Sequence, residues 1–259
     1  MKTNLFAILS LAIAVTAHAA INYPDFSSTS GLSLVDNAAQ NGSFVRLTPN
    51  TEAQYGAMWY NTPQYVIGGF ATTFQFRMSN QGGIGGGGDG LAFALQNVGN
   101  HASALEYGAY SNNIGITLNT FFNGGMEPSA NFVGIVTNTD EFGHASYKST
   151  YDLDGTGINL KDGNIHSATL TYSGANLSMI IDGISVFSNV ALDLSHGTDA
   201  FGNSFVGFGA RTGLATEDHD ILSWTMTVPE PSSAAILTVG AVVFGRRLFR
   251  RKDPTRSRC

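Results

Sequence analysis

Apolar residues recur at every second position through much of segment 85–138, and that alternation admits few folds. In 91–96, Leu91, Phe93 and Leu95 share one face, opposed by Ala92, Ala94 and Gln96. In 114–121 the apolar face is Ile114, Ile116 and Leu118, opposed by Thr117, Asn119 and Phe121. A period of two is that of a half-buried strand. The same period runs through Phe70, Thr72, Phe74, Phe76 and Met78, with further runs at 32–35, 43–47, 165–172, 177–181, 184–187, 205–210 and 221–226. Asn41-Gly42, Asp162-Gly163, Ser173-Gly174 and Asp182-Gly183 punctuate them as turns, and Asp182-Gly183 separates two apolar runs by two residues, a hairpin signal. No helical period of ten or more residues interrupts the body. About a dozen short strands without blade-like repeats predict an all-β sandwich or jelly roll of two antiparallel sheets, its first and last strands paired to cover the edges.

The strand of 114–121 sets a greasy face against one carrying oxygen-bearing side chains. Asn123 and Glu127 follow in the next loop, and Asp89 stands at the mouth of the neighbouring run. Carboxylate, amide and carbonyl oxygens are the ligands of a hard cation such as calcium. An aromatic side chain beside them offers a sugar ring a face to stack on. Other chemistries find less support. Gly83 to Gly88 contains GxGxxG, but a strand follows where a dinucleotide site needs a helix, and no P-loop lysine is present. The six histidines are scattered without HxxxH or HExxH spacing and read as loop or surface residues, His219 as structural. No GxSxG is present. A glycoside hydrolase on such a sandwich needs two carboxylates about 5–9 Å apart. Asp152 and Asp154 come closest, but they are glycine-flanked and turn-like, and 116–120 contains no acid. The expectation is therefore a protein that is not an enzyme.

The two ends are addresses. Residues 1–19 carry Lys2, an apolar run and Ala17-His18-Ala19, the pattern of a secretory signal peptide. Residues 20–228 form the body. Between residues 20 and 230 there are five Lys and Arg against eighteen Asp and Glu, an acidic balance that argues against nucleic acid or anionic lipid as partner. The sole cysteine is Cys259, so the body folds without an intramolecular disulfide. After Val228 come Pro229-Glu230-Pro231, a short small-and-apolar run over 232–245 that is below the roughly 20 residues of a comfortable span, then Arg246, Arg247, Arg250, Arg251 and Lys252. This order resembles the PEP-CTERM sorting signal of Gram-negative bacteria, expected over 229–252 with a basic tail at 253–259. The resemblance implies a transient hold in the inner membrane, basic end inside, removal by an exosortase-type enzyme, and delivery to the cell surface or extracellular matrix. A permanent tail anchor is the alternative.

The body carries a second resemblance. Asp89-Gly90-Leu91-Ala92-Phe93, then Ile116-Thr117-Leu118-Asn119-Thr120-Phe121-Phe122-Asn123, then Glu127-Pro128, then the run 131–138 and the closing stretch 207–226 are similar, in that order, to the legume-type (L-type) lectin domain. The likeness covers residues 26–227. It implies a concanavalin-like jelly roll and a carbohydrate-binding role, with a glycan or exopolysaccharide as partner.

Residue by residue, Asp89 matches the aspartate that accepts sugar hydroxyls, preceded in that family by a cis peptide bond, here Gly88–Asp89. Asn123 matches the asparagine that ligates calcium and donates to the sugar. Phe121 matches the residue giving calcium its carbonyl and the sugar its ring. Leu214 and Ala215 open the variable sugar-contacting loop, and Gly108 stands for a glycine whose amide does the same. Asn119 replaces a bridging aspartate, and Glu127 approximates a second aspartate, displaced by one residue. Thr117 and Asn131 stand where a glutamate and a histidine bind a transition metal. The resemblance thus implies weakly held calcium at Asn119, Phe121, Asn123 and Glu127, and no transition metal. A structural matrix or adhesion domain that has lost metal and sugar is the competing reading, with a glycoside hydrolase behind it.

Overall fold

A computed structural model describes residues 19–139 and 145–228; residues 1–18 of the expected signal segment and the C-terminal sorting segment lie outside the described residues, while Ala19, expected as the last signal residue, opens the first strand. The strands in chain order begin with β1 (Ala19–Tyr23), β2 (Leu32–Asp36), β3 (Ala39–Asn41), β4 (Phe44–Thr48), β5 (Tyr55–Tyr60) and β6 (Gln64–Tyr65). They continue with β7 (Phe70–Gly83), β8 (Gly90–Gln96), β9 (Ala104–Leu105), β10 (Gly108–Ala109), β11 (Asn113–Asn119) and β12 (Phe132–Thr139). Then follow β13 (Ala145–Asp152), β14 (His166–Ser173), β15 (Asn176–Ile181), β16 (Ile184–Ala191), β17 (Asn203–Arg211) and β18 (Ala215–Thr227).

These strands form two large antiparallel sheets packed face to face. One runs β16-β15-β14-β7-β18-β4-β3, with β1 added on β18; the other runs β13-β12-β11-β8-β17-β5-β2, with β6 on β17. Alternation decides the first sheet's inner face: Phe70, Phe74, Phe76 and Met78 of β7 are buried while Ala71, Thr73 and Gln75 are exposed. Where the sheets meet, Phe74, Phe93, Phe208 and Trp224 pack ring against ring. Phe74 meets Phe208 edge-on at 4.9 Å and Phe208 meets Trp224 at 5.1 Å, a geometry that adds to area burial.

The second sheet is buried on both faces over β8 and β11. Residues 104–110, with the β9–β10 hairpin, lie across its outer face. Gly115 allows this approach, since a Cβ there would sit 2.0 Å from the Tyr107 carbonyl. The oxygen-bearing face of β11 therefore lies covered: Thr117 and Asn119 are both fully buried. Phe121 does not continue that face, because β11 ends at Asn119.

The hairpin expected at Asp182-Gly183 joins β15 to β16 with both residues at positive φ, as a type I′ turn requires. The first and last strands pair, β1 against β18. Strand β5 escaped the alternation because Ala57, Met58 and Trp59 are all buried, so no period of two marks it. Strand β13 escaped for the opposite reason, having too few apolar residues.

The antiparallel register fixes two poles. The ends of β7, β11 and β17 and the starts of β8, β12 and β18 meet at one, since Ala215 pairs with Gly83 and Arg211 with Gly90. The starts of β7 and β17 and the ends of β8 and β18 meet at the other, since Thr227 pairs with Ala71 and Phe205 with Gln96.

Candidate binding site

A cavity of about 510 Å³ opens at the first pole. That lies within the range usual for small-molecule sites, roughly 300–1,000 Å³. Asp89, Phe121, Asn123, Leu214 and Ala215 all line it. Three segments distant in sequence supply them, the last of which also brings Arg211. Gly108 is not among the lining residues; its Cα faces Asn113 and Ala94, while its neighbours Leu105 and Tyr110 reach the cavity.

Asp89 is fixed by backbone on both sides. Its N–H donates to the Arg211 carbonyl at 2.9 Å, and its own carbonyl accepts the Thr120 N–H at 3.0 Å. The Gly88–Asp89 peptide bond is cis. Phe121 lies against the glycine-rich loop, and only glycine fits at 85: its φ is +68° and a Cβ would meet the Phe121 ring at 2.7 Å.

The carboxylate of Asp89 has a partner that the sequence did not announce. Arg211 Nε donates to Asp89 Oδ2 at 3.1 Å, and Arg211 Nη2 donates to Glu106 Oε1 at 2.5 Å. Asp89 Oδ1 accepts no hydrogen bond from the described residues, and it is the oxygen left for a ligand. Burial raises the Asp89 pKa, against the lowering effect of Arg211. Burial also pushes Glu106, fully enclosed, from 4.5 to about 7 despite Arg211. For Arg211 itself, burial opposes the charge, but the two carboxylates outweigh it and its pKa rises. Two acids share one base, so the guanidinium is already engaged and the wall offers no free cation to an anionic ligand. The signal available in sequence was scarcity: Arg211 is one of five basic residues in the body, placed at a strand end.

Across the cavity mouth the loop after β11 is stitched by hydrogen bonds to one acid. Glu127 Oε1 accepts from the hydroxyls of Tyr107 and Tyr147, each at 3.1 Å, and Glu127 Oε2 accepts the Asn123 N–H at 2.5 Å. The two tyrosine rings meet edge to face at 6.0 Å. Burial, then neighbouring acidic groups, raises both phenol pKa values, so the hydroxyls stay protonated donors. Asn119 Oδ1 accepts the Phe121 N–H at 3.0 Å, while its Nδ2 is buried without a partner.

The positions matched to a transition-metal site do other things here. Thr117 Oγ1 is buried without a partner near Tyr147. Asn131 bonds the Ile158 carbonyl and the Leu160 N–H, pinning the loop after β13. Among the described residues no group of three or more His, Cys, Asp or Glu is arranged to hold a metal. Asp152 and Asp154 cap a turn, where Asp152 Oδ1 accepts the Ser129 hydroxyl and the Asp154 N–H, and neither lines the cavity. His219 is fully buried between Thr48 and Glu217. His166, expected at the surface, is buried as well, held by Asp182 at 2.6 Å.

Comparison with known proteins bears on the family and the fold. The family model of the legume lectin domain matches residues 18–238, and that of the PEP-CTERM protein-sorting motif matches residues 227–252. The lectin alpha chain of Lablab purpureus is 25% identical over 225 residues, 78% of this chain and 74% of that one. Among solved structures, lectin II from Ulex europaeus superposes with a TM-score of 0.65 at 21% identity, covering 82% of this chain and 99% of that one. The VIP36 exoplasmic/lumenal domain, solved with Ca2+ and Man3GlcNAc bound, superposes at 0.61 with 15% identity, covering 79% and 86%.

Proposed function

The chain belongs to the legume lectin domain family and carries a PEP-CTERM sorting motif over residues 227–252, and on that premise we propose that it is an exported, non-enzymatic lectin that binds an uncharged glycan in the cavity at Asp89. One observation carries the reading: Asp89, Phe121, Asn123, Leu214 and Ala215 converge on a single cavity. Asp89 Oδ1 accepts a sugar hydroxyl, Asn123 donates to the next, and Phe121 offers its face to the apolar side of the ring. Arg211 holds the aspartate in orientation through Oδ2. The pairing of one guanidinium with two carboxylates selects against uronic and other acidic sugars. Exported and sorted through its C-terminal motif, the protein passes through the inner membrane, is processed by an exosortase-type enzyme and reaches the cell surface or matrix of a Gram-negative bacterium, where exopolysaccharide is the accessible partner.

Calcium fits this donor set by type, since every ligand offered is an oxygen. Asn119, Phe121 through its carbonyl, Asn123 and Glu127 would hold it, with a single formal charge among them. The ion would order the loop that carries Phe121 and Asn123 and so strengthen sugar binding. Glu127 already ties that loop through three hydrogen bonds, so affinity for the ion is weak. The same stitching favours the second reading, a structural matrix domain that keeps the sandwich and binds neither metal nor sugar. A panel of neutral and acidic glycans, read with calcium and with chelator, separates the two. Binding of neutral glycans, strengthened by calcium, supports the lectin. Silence across the panel with an intact fold supports the structural domain.

A further inference from the structure

The pole opposite the cavity carries an apolar surface that the sugar site does not use. Phe201 is 79% exposed, Val98 55%, Ile67 49% and Tyr65 38%. They come from three connections that touch one another. Tyr65 pairs with Asn203, the Val66 N–H donates to the Gly202 carbonyl at 3.0 Å, and Ile67 lies directly over Gly202. The Asn97 side chain reaches the Thr198 carbonyl, tying the connection that carries Val98 to the one that carries Phe201. Scattered apolar residues on a surface need no explanation, but a contiguous set at one tip does.

The chain itself indicates what meets this tip. Strand β18 starts at the cavity and ends at Thr227, which pairs with Ala71, four residues beyond Ile67. Thirteen residues of strand put about 40 Å between the poles. The described body ends at Val228, and the apolar run of the sorting motif begins about five residues later, a reach of at most roughly 18 Å. A bilayer holding that run is therefore met first by this pole. The connections 61–69, 97–103 and 192–202 contain no Lys or Arg. Besides the Tyr65 phenol, their charged or titratable groups are Asp193, Asp199, His101 and His196. Asp199 is exposed, and its Oδ1 accepts the Phe201 and Asn203 N–H groups at 2.8 Å, a turn that presents the Phe201 ring outward. Apolar tips without cations suit a zwitterionic headgroup layer rather than an anionic one.

We propose that the pole bearing Tyr65, Ile67, Val98 and Phe201 rests on a zwitterionic phospholipid surface while the C-terminal run is in the membrane, so that the glycan cavity faces away from the bilayer. The inference rests on the reading of that run as membrane-held. Tethering supplies a high effective concentration, so a few side chains suffice for contact that would be negligible in free solution.

The test uses the full chain reconstituted into phosphatidylcholine vesicles. A polarity-sensitive fluorophore is placed on Phe201→Cys or on Phe122→Cys, each with Cys259→Ser; Phe122 is 52% exposed at the cavity pole. Nitroxide-bearing lipid should quench the label at 201 several-fold more than the label at 122. Replacing a third of the lipid with phosphatidylglycerol should weaken the quenching at 201. Equal quenching at both sites, or none at either, in protein that floats with the vesicles overturns the proposal while leaving the anchor intact. Label-to-label proximity at 201 without lipid quenching also overturns it, in favour of a second copy of the chain. Protein that does not float with vesicles refutes the membrane-held run, and the docking surface with it. As a second measurement, Ile67→Ser with Val98→Ser should lower quenching at 201 without changing flotation; unchanged quenching counts against the surface.

Discussion

The two walls of the cavity are built by different physics. The Asp89 wall is a product of sheet register: Gly90 pairs with both Arg211 and Asn119, and the peptide of Asp89 is bonded to both neighbouring segments. Its charges are then balanced locally by Arg211 between two acids. The second wall, residues 121–127 with the Asn119 side chain at its root, is a loop outside the ladders, organised around one carboxylate and two phenols. Backbone pairing and buried ion pairing make the first wall rigid before any ligand arrives. The second wall depends on a few side-chain hydrogen bonds, and there an added ion can still change the order of the loop. Preorganisation on one side and adjustable order on the other is a division of labour between selecting a sugar and tuning affinity.

The sharpest way to break this comparison is Arg211→Met. It leaves Asp89 and Glu106 enclosed without their cation, and breaking such a buried arrangement costs about 3–5 kcal/mol. Chemical denaturation should show a loss of this size, and a loss under 1 kcal/mol would mean that the first wall is held by backbone alone.

Next in size is a dependence on pH. Glu106 is raised from 4.5 to about 7 in the folded state. Between those values the folded protein holds a proton that the unfolded chain has released, so stability falls as pH rises through this window. The fall is roughly 3 kcal/mol for a shift of this size. Glu106→Gln should remove most of that slope in denaturation curves taken from pH 5 to 7.

Asp89→Asn retains the shape of the side chain but removes the charge-assisted acceptor. Glycan affinity should drop about a hundredfold, the equivalent of 2–3 kcal/mol for a hydrogen bond to a charged group, while calcium affinity is unchanged. Equal binding by parent and variant in calorimetry would remove Asp89 from the recognition of sugar.

The smallest effect belongs to the second wall. Asn119→Asp supplies the missing charge and relieves the unpartnered Nδ2. Calcium should bind roughly tenfold tighter, about 1–2 kcal/mol, and glycan binding should strengthen with it. If calorimetry finds no tightening, the ion is not held where these oxygens lie.

Legibility in the sequence followed the same division. Strands with one buried face, such as β7 and β14, announced themselves by alternation, as did the turn at Asp182-Gly183. Strand β5 did not, because both its faces are buried. Five of the six residues expected at the sugar site line one cavity, and Gly108 does not. The partners Arg211 and Glu106 lie 105 residues apart in the chain, and no spacing rule brings them together. Tyr107 and Tyr147 each stand 20 residues from Glu127 in opposite directions, and nothing local marks them as its donors.

Local order is written in side-chain polarity and turn chemistry, because those act within a few residues. For this chain they determined the all-β sandwich. Five of the positions marked by resemblance line one cavity, but without the fold they would have stayed a set of separate loops. Which charges meet was decided by the ladders, since register brings together residues that the chain keeps far apart. The covering of the β11 face by residues 104–110, the sharing of Arg211 by two acids and the separation of the cavity from the chain's exit all follow from how the two sheets stack. Coulomb and packing energies depend on distance in space, and only the folded backbone sets that distance.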